Sequence, residues 1–190
     1  MPSKQTSLGD RFAEIAVILV TVIALAAGGF FKSSIENASL PFSVEGVSAQ
    51  APKDWLQSSP SGDTLLKTVD IRSGGFGATY LIRRVAVGPD VQASEVAGIL
   101  SLEYAQKLLA FRVLDQREVT VYGRDAYEIS YVFVESNPDV THDQFPRVVR
   151  GMDYIYMNGD HAIVVSFQTE ENKYDLDLPR FLLFLRSIKF

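Results

Sequence analysis

Asp153–Phe167 reads DYIYMNGDHAIVVSF. Two β-rich apolar runs flank Asn158-Gly159, a pair that tolerates the positive φ of a type I′ turn. The stretch is therefore predicted to be a β-hairpin with a two-residue loop. That register sets Met157 opposite Asp160, Tyr156 opposite His161, Tyr154 opposite Ile163 and Met152 opposite Val165. Side chains alternate along a strand, so Tyr154, Tyr156, His161, Ile163, Val165 and Phe167 are expected on one face of a sheet.

Periodicity carries the reading outward. After the hairpin, Leu178, Phe181, Leu182 and Leu185 form the apolar stripe of a helix over Asp177–Ser187, with Pro179 in its first turn. Before it, Glu118–Tyr122 and Ala126–Val134 read as strands joined through Gly123, followed by a polar loop from Glu135 to Pro146. Val96, Leu100, Tyr104, Leu108 and Phe111 recur at intervals of three and four, which predicts a helix over Val91–Arg112 capped by Ser94. Phe42–Ala51, Thr64–Arg72 and Ala78–Val87 are the first three strands, and Ser73-Gly74-Gly75 turns between the last two. Three strands, a helix, four strands and a helix predict an α+β domain, an antiparallel sheet of six to seven strands covered by helices.

The N-terminal part has a different character. Ile15–Phe31 holds no charged residue, and as a helix it would be about 26 Å long. That approaches the ~30 Å hydrocarbon core, and Phe12 and Ala13 extend the run. The expected organisation is a cytoplasmic tail over 1–11, one transmembrane anchor over 12–31, a tether over 32–40 and an extracytoplasmic domain over 41–190. A cleaved signal peptide, with Ala24-Leu25-Ala26 as its cleavage site, is the rival reading, but the apolar run exceeds the ~7–15 residues of a signal core. Lys4 and Arg11 before the run, against Lys32 after it, favour a cytoplasmic N-terminus. Ala24 and Gly28 have the spacing that lets a second membrane helix approach closely.

Composition excludes several functions. The chain has 190 residues and no cysteine, so disulfides, thiolate metal sites and cysteine nucleophiles are ruled out. Its formal net charge is -5. Removing Lys4, Arg11 and Lys32 from the 18 bases, and Asp10 and Glu14 from the 23 acids, leaves residues 33–190 at -6, the wrong sign for nucleic acid. Gly74-Gly75-Phe76-Gly77 lacks the Gly-Lys-Ser/Thr ending of a phosphate loop and precedes a strand, so it reads as a turn. The two histidines are His142, near Asp139 and Asp143, and His161, beside Asp160; they are weak metal candidates because no ligand spacing is set. Arg83, Arg84, Arg147 and Arg150 are the main basic positions, with Arg83 and Arg84 on opposite faces. Asn37-Ala38-Ser39 fits a glycosylation sequon.

Several of these segments resemble the PsbP-like family. They are the strand before Pro52-Lys53-Asp54-Trp55, the Val119–Gly123 and Ala126–Val134 pair, and the terminal hairpin and helix ending in Ser187-Ile188-Lys189-Phe190. The resemblance covers about residues 41–190 and implies an α/β/α sandwich. The family comprises small extrinsic proteins associated with photosystem II, some of which bind metals, and its fold is shared by Mog-type Ran-binding proteins and bacterial lipoproteins. Together with the anchor, it implies a non-catalytic accessory or assembly subunit of a photosynthetic or respiratory membrane complex. Its partners would be other subunits and the bilayer, and no cofactor is expected. The alternative is a membrane-anchored module that holds a small ligand or lipid on the sheet face of Tyr154, Tyr156 and His161.

Overall fold

The computed structural model describes residues 8–36, 38–136 and 145–190. The chain divides into two units, 1–38 and Ser39–Phe190.

In the first unit, helix α1 runs over Leu8–Glu36. Its apolar side chains are open to the surroundings: Val17, Ile18, Leu19 and Val20 are 60–65% exposed. Four consecutive positions at about 100° each cover the whole circumference, so no polar face exists in that turn. Among the described residues no helix is long and apolar enough to cross a membrane. The side chains described without a break run from Glu14 to Gly29. The predicted tether over 32–40 is taken up at both ends, since α1 continues to Glu36 and the first strand starts at Ser39. Asn37 of the sequon lies outside the described residues.

The second unit is an α+β domain. Its main sheet has seven strands, all antiparallel, in the order β3-β4-β5-β9-β8-β7-β6. The strands are β3 Leu56–Ser58, β4 Thr64–Val69, β5 Thr79–Ala86, β6 Leu109–Val121, β7 Arg124–Glu135, β8 Arg147–Asn158 and β9 His161–Glu170. Helix α2, Ala93–Lys107, packs on one face, with Val96, Ala97, Leu100 and Tyr104 buried. Helix α3, Tyr174–Ser187, belongs to the core on the other face, where Phe181, Phe184 and Leu185 cluster with Tyr80, Tyr154 and Phe167.

Where expected Phe42–Ala51 is one strand, the chain forms a separate two-stranded sheet, β1 Ser39–Val44 with β2 Val47–Pro52. The turn is Glu45-Gly46, with φ of 49° and 82°, the signs of a type I′ turn. Glutamate is a poor residue for positive φ. Here Arg84 holds it, donating to the Glu45 carboxylate at 3.0 Å and to its carbonyl at 2.7 Å. The C-terminal segment continues this small sheet, as Ser48 and Lys189 exchange two backbone bonds of 2.9 Å.

Helix α2 is shorter than predicted. It starts after Gln92, not at Val91, and Glu95 rather than Ser94 serves the cap by accepting from the Gln92 N–H at 3.3 Å. It stops at Lys107, and Leu109–Arg112 belong to β6, whose register slips beside Ala110 at φ 52°. Phe111 fits the helical spacing but faces the same core from a strand. Helix α3 starts before Asp177, so Pro179 falls inside it rather than in its first turn.

The decisive hairpin forms with a different turn. Asn158 pairs with His161, which makes Gly159-Asp160 the loop, and only Gly159, at φ 67°, is left-handed, as a type II′ turn requires. Tyr156 therefore faces Ile163, Tyr154 faces Val165 and Met152 faces Phe167. The slip is two residues, one full pleat period, so the predicted face is preserved.

Candidate functional site

The sheet face that carries Tyr154 and Tyr156 is a core and not an open surface. Tyr154 is 5% exposed and Tyr156 2%. Tyr154 stacks on Phe181 at 6.3 Å, and Tyr156 meets Phe190 at 5.4 Å. The Arg124 guanidinium lies against both the Tyr156 and Phe190 rings, at 4.9 and 4.6 Å from their centroids. Burial raises the Tyr156 hydroxyl to about 12 and raises that of Tyr154 further, so neither supplies a phenolate at neutral pH. The expected ligand face is thus filled by Phe181 of α3 and by Phe190 of the C-terminal segment, a cover the local strand pattern does not reveal.

His161 sits at the hairpin tip. Its Nδ1 lies 2.9 Å from Asp160 Oδ1 and its Nε2 lies 3.3 Å from Asn158 Nδ2. The hydrogen bond from His161 holds the Asp160 carboxyl below its usual range. His142 lies outside the described residues. Among the described residues no three His, Cys, Asp or Glu side chains come together to hold a metal ion.

The basic positions are partnered. Arg83 faces α2 while Arg84 clasps Glu45, so the two do occupy opposite sides. Arg147 pairs with Glu170 at 2.6 Å, and Arg150 lies 4.0 Å from the Tyr174 ring centroid. Burial alone would raise the Glu170 carboxyl, but the Phe76 N–H, Arg147 and Lys173 outweigh it and lower it. Gly75 has no Cβ to collide with Arg147 and Glu170, which explains the glycine-rich β4–β5 connection structurally.

Two features escaped the sequence reading. One is a depression of about 700 Å³ between the start of α2 and the ends of β6, β7 and β8. Tyr127 and Met157 give it apolar surface, and Glu118, Thr120 and Asp125 give it polar surface. The other is a polar network beneath α2. Asp153 is 0% exposed and accepts from the Tyr104 hydroxyl at 2.8 Å and the Tyr131 hydroxyl at 3.2 Å. Arg83 donates to the Tyr104 hydroxyl at 2.8 Å, and Gln168 donates to that of Tyr131 at 2.9 Å. Asp153 among apolar neighbours in an alternating strand was the available signal, because a core-facing carboxylate needs partners.

No family model matches the chain, and no curated protein does. Solved structures do match. Cyanobacterial PsbP (CyanoP) from Synechocystis aligns over 80% of this chain and 92% of its own, at 15% identity and a TM-score of 0.56. A variant of the protein Mog1 aligns over 80% and 95%, at 12% identity and a TM-score of 0.50. The domain has the fold of PsbP and Mog1. The Saccharomyces cerevisiae Ran-binding protein Mog1p aligns over the same shares, at 11% identity and a TM-score of 0.49. Identities this low establish the α+β architecture and leave activity open.

Proposed function

We propose that this protein is a non-catalytic accessory subunit, anchored in a membrane by residues 12–31 and presenting its PsbP-like domain to a partner outside the cytoplasm. The observation that carries this reading is the apolar circumference of α1 around Val17–Val20. A surface apolar on every side suits surrounding lipid better than one protein groove or water. The apolar run continues in the sequence through Phe30 and Phe31, which lengthens it toward a full span. A domain whose Arg83, Arg84, Arg147 and Arg150 are engaged by its own side chains suits binding through shape more than chemistry at an exposed centre.

The test is fractionation of cells that carry the tagged full-length chain. The protein should stay with membranes through an alkaline carbonate wash, and protease added to spheroplasts should remove the domain. Recovery in the soluble fraction overturns the anchor, and protection from external protease overturns the orientation.

A second reading, a small-ligand module, is favoured by the depression beside Tyr127 and Met157. Its volume is in the ~300–1,000 Å³ range of ligand pockets. It lies on the face opposite Tyr154 and Tyr156. Fragment screening by methionine-methyl NMR should then give hits that shift Met157 and spare Met152.

A further inference from the structure

Resting on the small-ligand reading, we propose that the depression beside Tyr127 and Met157 takes a small organic cation, a primary ammonium carried on an apolar body. The β6–β7 hairpin sorts its charges by face. Arg117 precedes Glu118 in the chain and Arg124 precedes Asp125, and neighbours along a strand point to opposite sides of the sheet. Glu118 and Asp125 line the depression on the α2 side. Arg117 is turned the other way and pairs with the buried Glu128 at 2.7 Å. Arg124 is also turned away, against the rings of Tyr156 and Phe190. Among the described residues no Lys, Arg or His lines the depression. The acidic balance of residues 33–190 adds a field of the same sign.

The polar wall on the strand side accepts hydrogen bonds and has no proton left to give. Thr120 and Asp125 are directly across from each other, and the Thr120 hydroxyl donates to Asp125 Oδ1 at 2.9 Å. That bond uses the one hydroxyl proton. What remains for a ligand is the second oxygen of Asp125, the Glu118 carboxylate and the lone pairs of Thr120, all acceptors. An ammonium supplies three donors together with the opposite charge.

The facing wall is the start of α2, whose dipole by itself would favour an anion. Glu95 already fills that place by accepting from the Gln92 N–H at 3.3 Å, so the helix end carries its own counter-charge.

The apolar surface sits beside the carboxylates. Tyr127 is one pleat period from Asp125 along β7, so ring and carboxylate share a face about 7 Å apart. Met157 is 37% exposed, and its flexible thioether adapts to an apolar body of irregular shape. A ligand that fits has its ammonium a short chain away from a ring or alkyl group.

Three probes of similar shape and different charge test this on the full-length protein in uncharged micelles: phenethylammonium, phenethyl alcohol and hydrocinnamate. The Met157 methyl signal reports binding at matched free probe concentration, with the Met152 methyl as the control that stays still. Phenethylammonium should bind about 10-fold more tightly than phenethyl alcohol, the combined scale of two exposed ion pairs, and hydrocinnamate more weakly than either. Glu118→Gln and Asp125→Asn should each weaken phenethylammonium by about 2–5-fold and leave phenethyl alcohol unchanged. Both side chains are exposed, so the substitutions leave the fold intact. Equal binding of the three probes, or an undiminished preference for the cation in both variants, overturns the cation assignment and leaves the small-ligand reading standing. No shift of Met157 with any probe overturns both.

Discussion

Trp55 is the only tryptophan and is 6% exposed. Its ring centroid lies 4.5 Å from that of Tyr80, and the Arg180 guanidinium lies 5.0 Å from the ring. Its indole N–H has no partner among the described residues. Truncation to alanine removes a large ring from the α3-side core, a change that costs about 3–5 kcal/mol. Loss of the stacked guanidinium adds ~0.5–1 kcal/mol. Removal of an unpaired buried N–H returns about 1–3 kcal/mol. The balance places Trp55→Ala near 3 kcal/mol, the lower end of the range. For a domain of this size that lowers the melting temperature by about 6–12 °C. Trp55→Phe keeps most of the ring and discards the N–H, so it should cost under ~1 kcal/mol. Far-UV circular dichroism melts of both variants measure this without the lost fluorophore. A Trp55→Ala cost below ~1 kcal/mol, or a Trp55→Phe cost equal to it, would refute the packing argument.

Gly151→Ala should cost about 1–3 kcal/mol in urea unfolding, because the new methyl must displace the Tyr131 ring; an unchanged midpoint would show that the ring yields freely. Glu170 has its carboxyl lowered in the folded state, so its contribution is present above its unfolded value of ~4.3 and is lost as pH falls through the folded value. The stability difference between wild type and Glu170→Gln should therefore shrink on acidification, and a difference that grows would contradict the assignment. Gly28→Leu should leave the chain in the membrane but release a partner bound through the Ala24 and Gly28 face. A Cβ on Gly28 meets nothing within 4 Å, so the change does not disturb the chain itself, and unchanged co-purification moves association to the domain.

Local periodicity was enough to order most of the main elements and to assign the correct face to Tyr154, Tyr156, Ile163, Val165 and Phe167. Both repeats, of two and of 3.6 residues, are properties of neighbouring positions, and even a slip of two residues at Gly159-Asp160 leaves strand faces unchanged. The uncharged run from Ile15 to Phe31 is equally legible, because it needs no partner to be seen.

Other features depend on residues distant in the chain. Glu45 turns with positive φ because Arg84 is brought to it from β5. The helical spacing of Leu108 and Phe111 is overruled where the chain pairs with β7 from Leu109 onward. Tyr154 and Tyr156 look like a binding face until Phe181 and Phe190 cover them. Asp153 is an ordinary acid in a strand until Tyr104, Tyr131 and Arg83 converge on it from three other elements. Alternation says which way a side chain points, but what meets it there is set by long-range packing, and in a low-dielectric interior those neighbours decide its chemistry.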